Sequence, residues 1–135
     1  KNVMENVSFD GIISTGVMLQ NLRTSSLDNE LNLTRDGYHM DNGLSRYAAS
    51  CTVFESIITP KFNVTLDGNT YRYATSNTTE GSYTTPVTDE NAPIAIQAAR
   101  YAIQSPYVVT DMSNYKVTVP DNSIADVEYE EGNKE

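Results

Sequence analysis

The chain is a short acidic polypeptide of 135 residues, with 9 Lys and Arg against 18 Asp and Glu and a net charge of −9. This length suits one domain or part of one. The basic residues are scattered rather than clustered, and no run approaches the roughly 18 apolar residues of a membrane-spanning helix. We therefore expect neither a nucleic-acid partner nor a transmembrane segment.

The first predicted elements are a strand and a helix. Residues 7–14 read as a short strand, which is strongest at Ile12 and Ile13 and is closed by residues 15–16. An amphipathic helix follows and ends near Arg23. Its apolar residues are Val17, Met18, Leu19 and Leu22. A strand, a glycine turn and a helix form half of a unit of an α/β sheet, so the predicted fold class is α/β.

A longer helix is predicted from about Asn42 to Ile58, with Pro60 ending it. Its apolar stripe consists of Leu44, Tyr47, Ala48, Cys51, Phe54, Ile57 and Ile58. Cys51 is the only cysteine, so the sequence contains no disulfide framework and no cysteine-based metal site. Its place in the stripe predicts a buried structural thiol rather than a nucleophile.

The next predicted element is a β-hairpin over residues 62–73 with Asp67-Gly68 at its turn. Residues 75–89 are rich in Thr, Ser, Asn and Gly, which predicts an exposed loop. We interpret 62–90 as a hairpin-and-loop insertion that shapes the rim of a site.

The last predicted helix begins at Asp89 or Asn91, has Pro93 in its first turn and stops at Pro106. Its apolar positions are Ile94, Ile96, Ala98, Ala99, Ala102 and Ile103. Strand-like segments follow at 107–109 and 115–119. The acidic segment after Pro120 is interpreted as a tail or a linker rather than a metal site.

These predicted elements do not close a core by themselves. One central strand with three helices leaves a bare sheet edge. We expect the rest of the sheet to come from an N-terminal part of the same domain, outside this chain.

The chain's only histidine, His39, lies on a predicted loop. Asp36 is near enough to orient its ring, and Gly37 supplies the backbone freedom that a tight loop needs. Asp41 or Asn42 is placed to cap the helix that follows. Because histidine is the natural general base at neutral pH, this pattern indicates the acid–base half of a hydrolase triad. The other interpretation is a surface loop with a merely solvated histidine.

Residues 33–49 resemble the final motif of the SGNH/GDSL hydrolase superfamily: an Asp, two spacers and a His, then a small polar turn, a Gly and a helix. The resemblance extends to a bacterial branch of uncharacterised function, in which a Gly and an Arg-Tyr pair follow the His, as Gly43, Arg46 and Tyr47 do here. The strand and helix that precede the motif in that branch are similar to Ile12-Ile13-Ser14-Thr15-Gly16 with Gln20 and Arg23.

The resemblance implies the C-terminal portion of a flavodoxin-like three-layer α/β/α SGNH-hydrolase fold with an inserted β-hairpin. Residues 1–110 would be the C-terminal part of that domain, and 111–135 a C-terminal strand followed by the acidic tail or linker. The composition, rich in Thr, Asn, Tyr and Ser and low in Lys, suits an exported protein that is periplasmic, extracellular or lipid-anchored through its N-terminal part.

For the site, the resemblance implies that His39 is the general base of a serine esterase or acyl hydrolase and Asp36 its orienting acid. The superfamily's nucleophile and oxyanion-hole motifs do not occur in this chain, so we expect the chain alone to be inactive. Acylated glycans are one substrate class it suggests. The alternative is a non-catalytic SGNH-like or extracellular module that binds carbohydrate or protein.

Two neighbours of the loop are candidate substrate-binding residues. Tyr38 either lines a pocket or stacks on a sugar, or is a half-buried loop aromatic. Arg46 holds an anionic group of the substrate or pairs with Asp41, and we favour the pair. No cofactor is expected and no metal, because one histidine and two carboxylates on one loop seldom suffice. The serines nearest in sequence lack the glycine-flanked elbow of a nucleophile. They are Ser14, Ser45 and Ser50.

Overall fold

The computed structural model describes residues 5–27, 33–72 and 85–117. We label the helices α1 (Thr15–Arg23), α2 (Leu44–Val53), α3 (Thr59–Phe62) and α4 (Ala92–Gln104). A π-helical segment, Phe54–Ile58, joins α2 to α3. Within the described ranges, none of the helices is both long and apolar enough to cross a bilayer.

The core lies where α1, α2 and α4 pack against one another. Helix α4 presents a face of small side chains, which allows the neighbouring helices to approach closely. The buried apolar residues of the three helices are Met18, Leu22, Leu44, Tyr47, Ala48, Cys51, Ala92, Ile94, Ala95, Ile96, Ala98, Ala99 and Ala102.

Helix α1 is confirmed at its predicted place, and a polar residue fixes its position. Asn21 is completely buried. Its Nδ2 donates to the carbonyl of Ala98 on α4 at 3.2 Å. Its Oδ1 accepts the N–H of Thr110 at 2.7 Å. One amide side chain thus connects α1, α4 and the segment that follows α4.

The prediction that Pro60 ends the second helix is wrong, because the chain stays helical to Phe62 and turns off at Asn63 in the left-handed region, at φ 53°. Within an α-helix the proline ring would clash with a carbonyl four residues earlier. The wider π turn over Phe54–Ile58 directly precedes α3 and removes that conflict by shifting the register. Pro60 then occupies the first turn of α3, where its missing N–H costs no bond.

The π segment also shifts the apolar stripe of this helix. Leu44, Tyr47, Ala48 and Cys51 are buried as predicted. Ile57, in contrast, is 47% exposed, so the far end of the predicted stripe does not reach the core.

Helix α4 confirms the last predicted helix. Pro93 lies in its first turn, and Ser105 follows its last residue, directly before Pro106. The preceding turn is closed by reciprocal bonds, in which Thr88 donates its N–H to the Asn91 side chain and Asn91 donates its N–H to the Thr88 hydroxyl.

No strand forms in the described residues, which are partly helical and compatible with an α/β domain. The predicted strand at 7–14 is irregular, and Ile12 and Ile13 are 44% and 39% exposed. A strand exists only through ladder bonds to a neighbour, and no described segment supplies them. The sole β pairing in this part of the chain is an isolated antiparallel bridge between Thr34 and Met40.

The prediction of a hairpin at 62–73 is also wrong for its described part, residues 62–72. Its turn is present, since Gly68 has φ 72° and Asn69 donates its N–H to the carbonyl of Leu66. The described parts of the two arms do not pair, and the side chains of Thr65 and Asp67 accept hydrogen bonds from Arg100 on α4.

Of the remaining predicted segments, 107–109 forms a turn and 115–117 is irregular. The loop residues 73–84 and the tail residues 118–135 lie outside the described ranges, so the predictions for them stay predictions.

Candidate functional site

The loop that carries the histidine is a tight turn closed by backbone bonds. Arg35 donates its N–H to the carbonyl of His39 at 3.0 Å, and Asp41 donates its N–H to the carbonyl of Leu33 at 3.1 Å. Gly37 has φ 85°, in the left-handed region that glycine adopts without strain. We call residues 33–41 the acid–base loop.

Asp36 binds both the backbone of this loop and the imidazole. Its Oδ1 accepts the backbone N–H groups of Tyr38 at 3.0 Å and of His39 at 2.7 Å. Its Oδ2 lies 2.5 Å from Nδ1 of His39. The backbone N–H of His39, then its imidazole, then the N–H of Tyr38 hold the pKa of Asp36 well below its usual range. Asp36 is therefore an ionised carboxylate that fixes the ring from one side.

The bond to Asp36 determines what His39 can do chemically. An ionised carboxylate only accepts, so it selects the tautomer with the proton on Nδ1 and leaves a lone pair on Nε2. The side chain of His39 is 65% exposed. The predicted contact between acid and base is thus present, on an accessible surface.

The candidate substrate-binding residues lie near this dyad in sequence. Tyr38 is 90% exposed, so it is not the half-buried aromatic of one interpretation. Arg46 is exposed on α2. The favoured pair between Arg46 and Asp41 is not among the ion pairs of the described residues, because Asp41 is completely buried and accepts backbone N–H groups instead.

Asp41 lies at the end of the acid–base loop and was predicted as one of two candidate helix caps and as the partner of Arg46. The N-cap position of α2 is Gly43, two residues later, but Oδ2 of Asp41 accepts the N–H of Ser45 in the first turn of the helix at 2.9 Å. Its Oδ1 accepts the N–H of Gly43 at 2.6 Å and that of Thr85 at 3.1 Å. The contact with Thr85 was not foreseen, because no local pattern relates residues so far apart in sequence.

Comparison with known protein families gives a match over most of the described part of the chain. Residues 1–90 match the model of a family described as a domain of unknown function, DUF4886. This chain belongs to the DUF4886 family. The matched range includes the acid–base loop, and α1 and α2 on either side of it. Comparison with curated proteins and with solved structures gave no match.

In this DUF4886 chain the three serines considered as internal nucleophiles have other partners. The hydroxyl of Ser14 donates to the carbonyl of Pro106 at 2.8 Å. Those of Ser45 and Ser50 donate to the carbonyls of Leu33 and Arg46. None of these hydroxyls is hydrogen-bonded to His39, which supports the interpretation of all three as ordinary structural residues.

The DUF4886 chain also has a groove of about 700 Å³ between residues 66–72 and α4, which sequence reasoning missed. Its cations are already paired. Arg100 binds Glu55 and Asp67, each at 2.8 Å, and Arg72 binds Asp89 at 3.2 Å. Among the described residues that line the groove, both arginines are therefore in ion pairs.

Proposed function

We propose that this chain is the acid–base-bearing C-terminal part of an SGNH-type serine esterase or acyl hydrolase. His39 acts as the general base, Asp36 orients it, and the nucleophilic serine is supplied from outside this chain. The observation that carries the proposal is the 2.5 Å contact between Oδ2 of Asp36 and Nδ1 of His39 on an exposed loop.

The chemistry follows from the tautomer. With the proton held on Nδ1 by Asp36, Nε2 of His39 takes the proton of the serine hydroxyl as the oxygen attacks the ester carbonyl. The imidazolium that results is stabilised by the ionised Asp36, and it returns the same proton to the leaving alcohol, which leaves the acyl group on the serine. Nε2 then takes a proton from a water molecule that attacks this acyl ester, and returns it to the serine oxygen as the carboxylic acid leaves. The hydrogen bonds that lower the pKa of Asp36 favour its charged form, which suits this role.

The proposal extends to the fold, as the C-terminal portion of a flavodoxin-like α/β/α domain. Exposed apolar side chains in the segment that precedes α1 support it. Val7, Phe9, Ile12 and Ile13 are each between 39% and 52% exposed. Such residues suit a strand whose neighbours come from the N-terminal part of the same domain.

We propose that the substrate is an acylated glycan outside the cytoplasm, where an exported hydrolase would act. The ring of Tyr38 is 90% exposed and immediately precedes His39 in the chain. An exposed aromatic face beside a general base suits stacking on a sugar whose acyl group is removed. The same observation favours a second function, in which the loop binds carbohydrate without catalysis.

The proposal is tested by labelling the complete gene product with a fluorophosphonate probe, which reacts with activated serines. We expect a serine outside residues 1–135 to be labelled, and His39→Gln and Asp36→Asn each to slow labelling at least roughly 100-fold. Asp111→Asn is the matched control, since Asp111 is also exposed and accepts a backbone N–H, from Ser113 at 2.9 Å. That variant should label like the wild type.

Wild-type labelling rates in either site variant would show that the assigned role is wrong. An unlabelled wild-type protein that binds acylated glycans, and loses that binding on Tyr38→Ala, would favour the carbohydrate-binding function instead.

A further inference from the structure

We propose that Asp41 is a positioning residue for His39, and that its buried carboxylate clamps the acid–base loop to α2 and to Thr85. The effect of this clamp on catalysis rests on the proposed function. Its effect on the arrangement of His39 does not. Asp41 itself touches neither His39 nor a reacting atom, so its role is exerted through the loop.

The buried carboxylate of Asp41 matches the set of donors around it. Asp41 is completely buried, and both of its oxygens accept from the backbone: Oδ1 from Gly43 and Thr85, Oδ2 from Ser45. A carboxylate is the only side-chain group of this size that accepts on two oxygens and donates on neither. An asparagine here would place an NH2 group against at least one of these N–H donors.

Both ends of the acid–base loop are held at the same place, the start of α2. Asp41 donates its own N–H to the carbonyl of Leu33 at 3.1 Å. That carbonyl also accepts the hydroxyl of Ser45 at 2.7 Å. Residues 33 and 41, the two ends of the loop, are therefore both bonded to the first turn of α2.

The hydrogen bonds that hold the ring of His39 are exposed. Asp36 and His39 bond to each other and within the loop, and their side chains are 45% and 65% exposed. Bonds this exposed compete with water, so they keep the ring in one arrangement only while the ends of the loop are fixed. The buried bonds of Asp41 fix one end, beside Leu33 and Met40, which pack in and against the core.

Thr85 extends the clamp to a segment distant in sequence. Its N–H binds Asp41 at 3.1 Å, and its carbonyl accepts the N–H of Leu44 at 3.0 Å. These two bonds hold Thr85 against the start of α2. The carboxylate of Asp41 thus connects the acid–base loop, the start of α2 and the segment that begins at Thr85.

The experiment is Asp41→Asn with the imidazole nitrogens of His39 observed by NMR in histidine-labelled protein. His39 is the only histidine of the chain, and His39→Gln assigns its signal in the complete gene product. In the neutral ring we expect the wild type to show the Nδ1-protonated tautomer. We expect Asp41→Asn to show a mixture of tautomers and to lower the fluorophosphonate labelling rate roughly tenfold or more.

Thr52→Ala is the matched control for stability. Thr52 is completely buried on α2, and its hydroxyl donates to the carbonyl of Ala48 at 2.9 Å, away from the loop. Its removal should lower stability without changing the tautomer. If Asp41→Asn does not fold, Ser45→Ala replaces it, since that change removes only the bond to Leu33 and should shift the tautomer ratio in the same direction.

The outcomes separate this proposal from the proposed function. A folded Asp41→Asn or Ser45→Ala protein that keeps the wild-type tautomer would overturn the clamp, whatever the labelling shows. A changed tautomer in a protein that never labels would support the clamp while the hydrolase assignment fails.

Discussion

Gly43 lies directly against the backbone of Thr85: a Cβ added to Gly43 would stand 1.8 Å from the carbonyl oxygen of Thr85 and 2.7 Å from its carbonyl carbon. Real Cβ atoms do not approach a backbone atom so closely. Glycine is therefore required at position 43 by this close approach rather than by a left-handed φ, since its φ is −112°. The contact occurs where α2 begins and where the acid–base loop ends.

The substitution Gly43→Ala should push Thr85 away from α2. The bonds from Leu44 to Thr85 and from Thr85 to Asp41 would both be stretched, so we expect the free energy of unfolding to fall by about 3 kcal/mol in urea denaturation. Gly16→Ala is the control. A Cβ at Gly16, in the first turn of α1, meets nothing within 4 Å, so this change should leave stability unchanged or raise it slightly. Equal stability of the two variants would contradict the close approach.

The ionisation of Asp36 gives a prediction about low pH. Because N–H donors hold its pKa below the ordinary value of 3.8, the carboxylate stabilises the folded loop fully above that pH. This stabilisation is lost only as the pH falls through the lower, folded-state pKa. The 13Cγ signal of Asp36, assigned by Asp36→Asn, should therefore remain that of a carboxylate when the sample passes below pH 3.8. A midpoint near 3.8 would mean that the bonds to Asp36 from the backbone N–H groups of His39 and Tyr38 and from the imidazole do not form in solution.

Much of the helical structure could be predicted because its determinants are local. The apolar spacing of α1, Pro93 in the first turn of α4 and Pro106 beyond its end lie within a few residues of the features they specify. The contact between Asp36 and His39 was predictable for the same reason, since both residues lie on one tight loop.

The features that sequence missed depend on partners distant in the chain. The strand predicted around Ile12 needs neighbouring strands to form a ladder. The helix passes Pro60 because a π turn adjusts its register, and no simple pattern signals such a turn. Asp41 and Thr85 meet across 44 residues, and Glu55 and Arg100 across 45, so neither contact could be inferred from spacing.

Arg100 joins α4 to the π segment through Glu55, whose side chain is only 8% exposed. The substitution Arg100→Met keeps the aliphatic stem but removes the cation from this largely buried carboxylate, which keeps only the hydroxyl of Thr59 as a described partner, at 3.1 Å. We expect the free energy of unfolding to fall by about 2 kcal/mol, between the values for exposed and for fully buried pairs. This loss of stability is measured by urea denaturation at neutral pH.

The control is a substitution at Asp67, the second ion-pair partner of Arg100. Asp67 also binds Arg100 at 2.8 Å, but its side chain is 69% exposed. Asp67→Asn should therefore change the free energy of unfolding by less than about 1 kcal/mol. If the two variants lost equal stability, burial of Glu55 would not be the reason for the effect of Arg100.

Cys51 should be chemically inert in the folded protein. Its side chain is buried in the core, and burial raises the pKa of its thiol to about 11 from the usual 9.0. A shift of this size leaves about 100-fold less thiolate at pH 8 than in an unfolded chain, and packing restricts access further. Iodoacetamide should therefore alkylate Cys51 at least about 100-fold more slowly in the native protein than in urea, as followed by intact mass. Comparable rates in the two states would show that the contact between α2 and α4 opens readily, since Cys51 lies in the core that these helices form.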